Sequence, residues 1–487
     1  MAKKKKKKTD AGTVIFRLIG IEILALILVL VGIGAKYAPT VMTILKGKSG
    51  NGQQNQMGLP TAGDNGSNVS GSTSGNASGS NQTGASGDDG TNADEAGTAD
   101  QNAADESGVN GTDGTQTGQE NGQDAVQTEA QTEASYDGEV EQGSVSLTAV
   151  GDNLMHRSNT LSGKHADGTY SYYDNFCNMR DIFLASDFSV LSQDTVMAGT
   201  EYGVTSGEVF TTGTEIGDSM ADAGINVVLA ANNHILDQGK DGLNNMLLYW
   251  KQNHPDVALL GVNQSAEEKN TPVYAEKNGI TLAMINYTCK SNNTAPLDAE
   301  PYLLNRYDKE WLTQMITEAK QNADFVIVFP HWGTTDEIDP TQDQMDQAQF
   351  LADLGADLII GAYPHVVEPV KWVTASDGHK TLVYYSLGNF QSIQDKTENM
   401  LGGLASVTIT KNDKRTYISD YDLDFTVTHY AQESTNEYFD IVTTFPYSQY
   451  TEDLAAKHGI LLWDPGFSCD RLKELRDAVL AKSELNR

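Results

Sequence analysis

Three histidines in this chain share one local pattern. The apolar run 225–230 closes into Ala231-Asn232-Asn233-His234-Ile235, residues 325–330 run into His331-Trp332-Gly333, and residues 358–361 run toward Pro364-His365. Short apolar runs of this kind read as buried strands. Each imidazole therefore falls at the C-terminal end of a strand, where open α/β sheets gather their ligands. Two carboxylates obey the same rule. Asp152 follows the alternating stretch 144–150, and Asp194 ends a second apolar run that starts at residue 187. An amide beside an imidazole, as at Asn233-His234, suits binding of a metal and an oxyanion.

Carboxylates, an amide oxygen and imidazoles together favour borderline divalent cations such as Mn, Zn or Fe, as one ion or two. A dinuclear centre would polarise a phosphoryl or carbonyl oxygen and lower the pKa of a bound water toward neutrality. A single His at a strand end is more often a satisfied hydrogen-bond partner than a ligand. Six such groups at strand ends argue for one site. Ser386 has no base placed for it and reads as part of a strand and turn. Trp332 and Tyr363 are equally suited to stacking on a substrate and to packing. Glu368 reads as a surface or supporting acid. His165, His254, His379, His429 and His458 lie in polar stretches or in the C-terminal part, and no role is assigned to them.

The elements that must position these groups alternate. Helical patterns at 214–223, 241–253, 311–319 and 342–354 separate the strand-like runs, with Gly224 and Gly355 as helix stops and the Asp237–Gly239 turn as a start. Further strands are expected at 257–262 and 280–287. Strand and helix alternation from 144 to about 390 predicts α/β layering. After Gly402 the pattern changes to strands at 404–410 and 417–427, and an amphipathic helix is expected at 470–485.

The rest of the 487 residues set the context. Residues 1–13 form a basic tail containing Lys3 to Lys8, and 14–36 is an apolar segment long enough to span a membrane as one helix. The lysines place the N-terminus in the cytoplasm and the remainder outside. A cleaved signal peptide is the alternative, but the apolar stretch is long for one and no small-x-small cleavage site follows it. Residues 37–143 form a linker rich in Gly, Asn, Ser and Thr, with no Lys or Arg between Lys48 and Arg157. Such a composition is expected to be disordered, with a reach of roughly 50 Å. A net charge of −33 argues against nucleic acid as a partner. Much of that charge falls in the linker. Three cysteines are too few for a disulfide framework, although one pair remains open.

The ordered motifs make a specific resemblance. Gly151-Asp152, Ser192-Gln193-Asp194, Asn232-Asn233-His234 with Asp237-Gln238-Gly239, His331-Trp332-Gly333, Gly355-Ala356-Asp357, Pro364-His365-Val366 and Ser386-Leu387-Gly388-Asn389-Phe390 occur in the order of the CapA family of poly-γ-glutamate capsule synthesis proteins. That family is related in fold to calcineurin-like metallophosphoesterases. The resemblance implies an α/β domain at 144–402, a sandwich of two β-sheets flanked by helices; the changed pattern after Gly402 reads as a β/α extension at 403–487 packed on it. It also implies Asp152, Asp194, Asn233, His331 and His365 as metal ligands. His234, held by Asp237, would be the general acid. Partners would be an anionic envelope polymer such as poly-γ-glutamate, the membrane, and other capsule synthesis membrane proteins. Ser192, Asp194, Thr335 and Tyr363 depart from the family's Asn, Glu, acid and His, and Leu154 lacks the imidazole of the phosphoesterase Asp-x-His motif. Two readings stay open: a metal-dependent phosphoesterase-like hydrolase or transferase, and a non-catalytic polymer-binding or scaffold subunit with a degenerate metal site.

Overall fold

The structure is a computed structural model and describes residues 140–204 and 209–485. The basic tail, the apolar segment at 14–36 expected to span a membrane, and almost all of the linker lie outside the described residues. Among the described residues, no helix is long and apolar enough to cross a membrane.

Fourteen strands are described. In chain order they are β1 (Glu141–Asn153), β2 (Phe188–Ser192), β3 (Val227–Leu229), β4 (Ala258–Leu260), β5 (Val273–Lys277), β6 (Ile280–Thr288), β7 (Phe325–His331), β8 (Leu358–Ile360), β9 (Val370–Thr374), β10 (Lys380–Tyr384), β11 (Asn389–Gln391), β12 (Leu401–Asn412), β13 (Thr416–Ala431) and β14 (Ile441–Pro446). They form two sheets. The first has the order β14-β13-β12-β1-β2-β3-β4, with β11 paired to the end of β1; the second has the order β5-β6-β7-β8-β10-β9. β1 to β4 are mutually parallel, as are β6, β7, β8 and β10. In both sheets these parallel strands end on the side that carries the site.

Side-chain alternation builds the layers, because successive strand residues point to opposite faces. Val145, Leu147 and Ala149 of β1 join Leu282, Met284, Ile327 and Phe329 of the second sheet in one core between the sheets. Val150, Leu191 and Val228 face the other way and pack on the helices Glu215–Ala223 and Gly239–Asn253. On the far side, Ala283, Ile285, Val326 and Val328 pack on Lys309–Asn322 and Gln342–Leu354. The helices' own sequences fix their ends. Asp308 accepts from Trp311 N, Thr341 and Gln344 make a capping box, and Gly224 and Gly355 stop their helices in the left-handed region. Each large side chain buried in these layers contributes on the order of 1.5–3 kcal/mol.

The strands after Gly402 continue the first sheet directly: β12 runs antiparallel to β1 from Glu141–Asn412 to Val150–Leu404, and β13 and β14 extend the edge. What the sequence suggested as an extension packed on the domain is thus hydrogen-bonded into the sheet that carries Asp152. The terminal helix Cys469–Lys482 closes the end. Cys177, Cys289 and Cys469 are free thiols.

Candidate metal centre

β1 carries the first acid of the site. Its register shifts between Val150 and Asp152, and Asp152 pairs with Ser192 of β2 on one side and Asn389 of β11 on the other. The shift needs Gly151, because a Cβ there would meet Gly388 O at 1.9 Å. Close backbone approach of this kind is a glycine role. Asp152 is fully buried, accepts from Ser192 Oγ at 2.7 Å on Oδ1 and from Tyr363 N at 3.0 Å on Oδ2.

Asp194 follows β2 and is also fully buried. His331, the last residue of β7, places Nε2 3.6 Å from Asp194 Oδ1 and Nδ1 3.9 Å from Asp152 Oδ1. His365 places Nδ1 3.4 Å from Asp152 Oδ2 and Nε2 4.0 Å from Asp194 Oδ2. Ligand atoms of Asp152, Asp194 and His365 all lie within 4.8 Å of one another. Asn233 Oδ1 is bonded to His331 Nε2 at 3.0 Å. The five residues that sequence reasoning nominated therefore converge.

The donor set fits a divalent cation on its own evidence. Neither oxygen of Asp194 has a hydrogen-bond partner among the described residues, and neither does His331 Nδ1. Since His331 Nε2 donates to Asn233, Nδ1 carries a lone pair, aimed toward Asp152. Buried polar groups are otherwise almost always satisfied. Burial, then the nearby charges of Asp152 and Asp237, pushes the Asp194 carboxyl well above the usual carboxylate range. Burial also holds the His331 imidazole down at about 3, against the pull of Asp152. Asp152 lies below its ordinary value: burial opposes this, but His365, His331 and Ser192 outweigh it. Two buried carboxylates, only one of them compensated, beside the neutral His331 imidazole form a site short of positive charge. A divalent cation would supply it.

A second group borders this cluster. His234 Nδ1 lies 2.7 Å from Asp237 Oδ2, whose oxygen also accepts from Phe210 N at 2.8 Å. Asn292 Nδ2 lies 3.1 Å from the same imidazole nitrogen. The turn is fixed by Asn232, which accepts from His234 N and donates to Gln193 O. Val209, His234, Asp237, Asn292 and Asn293 line an open cleft of about 650 Å³. With Nδ1 committed to Asp237, Nε2 is the nitrogen left for a ligand.

The site carries backbone strain. Tyr363 and His365 have φ of 99° and 60°, and Asp336 has 64°. A bulky residue at positive φ is an outlier that costs about 1–3 kcal/mol. Around His365, Asn389 Oδ1 lies 3.0 Å from Nδ1, and Asn399 Nδ2 reaches both His365 O and Asp336 Oδ1. Sequence reasoning did not nominate Asn389, Asn399, Asn292 or Lys290. Asn389 lies in a quoted motif, so its signal was present; the others sit in loops without a pattern.

Residues 146–394 match the family described as bacterial capsule synthesis protein PGA_cap. That span is half of the chain. The chain belongs to this family. The PGA biosynthesis protein CapA of Bacillus subtilis is 30% identical over 280 residues, 55% of this chain and 68% of that protein. The capsule biosynthesis protein CapA of Bacillus anthracis is 29% identical over 199 residues, 40% of this chain; the chain spans 46% of its length. Among solved structures, the calcineurin-like phosphoesterase YfkN from Bacillus subtilis superposes with a TM-score of 0.35 at 11% identity, over 70% of this chain and 98% of that one. That superposition is too loose to bear on the site.

The departures from the capsule synthesis family's pattern have definite places. Ser192 bonds Asp152 where the family has Asn. Leu154 is buried in the core, yet His156, two residues on, comes close to the site: it is half-buried, its inaccessible Nε2 is unpartnered among the described residues, and its ring lies 5.2 Å from Phe210, which itself packs 4.5 Å from His234. Burial, then His365 and His234, lowers its imidazole to about 4. Thr335 is exposed, but the neighbouring Asp336 holds Asn399 and Lys396 beside His365. Trp332 is packing: it is fully buried, stacks on Tyr385 and donates to Tyr385 O. Ser386 donates to Val366 O and accepts from Gly388 N, as a turn residue. Glu368 is not a surface acid; it is fully buried against Gln344.

Proposed function

We propose that this chain is a metal-dependent hydrolase or transferase of the cell envelope, acting on an anionic polymer such as poly-γ-glutamate. The observation that carries the reading is Asp194: a buried carboxylate with two unpartnered oxygens between two imidazoles, while His234 and Asp237 line an open cleft. Asp152, Asp194, His331 and His365, with Asn233, hold one divalent cation, of Mn, Zn or Fe type. When bound, such a cation polarises a phosphoryl or carbonyl oxygen and activates water. Asp152 is fixed by Ser192 and the Tyr363 amide, so its carboxylate stays oriented. Asp237 holds the His234 ring, and His234 Nε2 delivers a proton to the leaving group. Residues 14–36 anchor the chain with its N-terminus in the cytoplasm, and 37–143 tether residues 144–487 outside, where other capsule synthesis membrane proteins are its neighbours.

Incubating the purified full-length chain with Mn²⁺ and either poly-γ-glutamate or a chromogenic phosphoester tests this. Cleavage or transfer that His234→Ala removes supports it; no metal-dependent turnover of either substrate rejects it.

One observation favours a second reading, a polymer-binding scaffold with a reduced metal site. The compact ligand cluster is sized for a single cation, and Tyr363 replaces a family imidazole beside it. Tyr363→His with Thr335→Glu separates the two. A gain in metal content and turnover marks a weakened enzyme, whereas unchanged polymer export with no turnover marks a scaffold.

A further inference from the structure

The loop that brings Asn292 to His234 also carries a cation. β6 ends at Thr288, and the chain then crosses the site. Cys289 N donates to His331 O, and Asn292 N donates to Asn233 O, each at 2.9 Å. Asn293 Nδ2 donates to Leu236 O, and Thr288 Oγ1 donates to Lys290 O at 2.8 Å while accepting from Lys290 N. Residues 288–293 are thus tied to the segments that carry His331, Asn233 and His234. From this fixed base Lys290 extends an exposed side chain, with Nζ 3.0 Å from Tyr363 Oη and 4.2 Å from the ring centroid. Among the described residues Lys290 Nζ meets no carboxylate, in a chain whose net charge is −33.

Tyr363 is placed with equal definition. Its amide is committed to Asp152 Oδ2, its φ is 99°, and its ring lies 5.1 Å from His331 and 5.8 Å from His365. Tyr363 Oη accepts from Lys290, so its own proton is free to donate. An ammonium with spare N–H bonds and a phenol O–H, side by side at the edge of the cluster, form a donor set for an oxyanion. An exposed Lys resting on a ring as mere packing needs neither the loop's ties nor a tyrosine held at positive φ.

We propose that Lys290 and Tyr363 form an oxyanion-binding lip that selects substrates carrying a carboxylate or phosphate beside the bond presented to the cluster. The proposal rests on the reading of that cluster as a cation-dependent substrate site. The probe is fluorescein-labelled oligo-γ-glutamate, followed by anisotropy on the full-length chain with Mn²⁺, and with inorganic phosphate as competitor. Metal content is measured on the same samples, so that failure of the cluster and failure of the lip are separate results.

Lys290→Gln is expected to weaken peptide binding or phosphate competition about tenfold or more, the scale of one lost charge-assisted hydrogen bond. Metal content should be unchanged, Lys290→Arg should retain most affinity, and Tyr363→Phe should fall between. An effect on the peptide alone assigns the lip to carboxylates; an effect on phosphate alone assigns it to phosphate. Equal affinity of native chain and Lys290→Gln for both probes, or no binding of either by metal-loaded native chain, overturns the proposal.

Discussion

Asp194 Oδ1 lies 3.6 Å from His331 Nε2, yet that nitrogen donates elsewhere, to Asn233, and the carboxylate oxygen is bonded to nothing. An isolated buried carboxylate is strongly unfavourable, and the close approach of Asp152 makes this one worse. The strand geometry nevertheless holds it in place. Stability set against function in this way is common at sites built for a charged ligand.

A crossed effect follows for Asp194→Asn. Without metal it removes the least favourable buried acid, so thermal stability should hold or rise. With Mn²⁺ or Zn²⁺ the native chain should gain on the order of 3 kcal/mol at a hundredfold excess over Kd, and the variant should gain almost nothing. Melting curves with and without metal check both halves. An equal gain in native and variant chains would place the cation elsewhere.

Asp237→Asn probes the His234 pair. The amide keeps one oxygen that can accept from Nδ1, but the ring loses the negative charge that supports its protonated form. Turnover should drop by about 10²–10⁴-fold with metal content unaltered. Retained activity would remove His234 from proton transfer.

Glu368 supplies a pH signature away from the cluster. Burial raises its carboxyl from 4.5 to about 8, with Asp339 and Glu337 adding to burial and Gln344 opposing it. The folded chain therefore holds this proton more tightly than the unfolded chain. The stabilisation it gives is complete below about 4.5, declines as pH rises, and is lost above about 8. Glu368→Gln keeps an acceptor for Gln344, so it should be neutral near pH 4. Its advantage should grow by about 1 kcal/mol per pH unit up to about pH 8. Urea midpoints at pH 5 and pH 8 decide this, and a pH-independent difference would contradict it.

Gly151→Ala should damage fold and site together. The added Cβ meets Gly388 O at 1.9 Å, backbone against backbone, so β1 and the 387–388 turn must part. A loss of about 1–3 kcal/mol or more is expected, with weakened metal binding, since Asp152 follows directly. Native stability in this variant would show that the turn yields freely.

The site's framework was legible because strands betray themselves by apolar runs and their ends follow from length. That is why Asp152, Asp194, Asn233, His234, His331 and His365 could be placed near one another before any coordinates. β5 and β9 were missed, being short strands with exposed or mixed faces, and β10 was missed although it is buried, because its apolar run is only a few residues long. Lys290 and Asn292 were missed because a loop crossing the site leaves no periodic trace. Glu368 was left between a surface and a supporting acid for a related reason: an acid three residues past His365 can face solvent, and only the fold reveals Gln344 and Tyr385 around it. Residues after 402 read as an addition because sequence order hides the antiparallel pairing of β12 with β1.

The most direct test is elemental analysis of the full-length chain, purified without chelator, beside Asp194→Asn and the double variant Asp152→Asn with His365→Ala. About one equivalent of Mn, Zn or Fe in the native chain, lost in both variants, is the predicted result. A metal-free native chain that stays metal-free after incubation with these ions, or variants that retain its metal, would contradict the account.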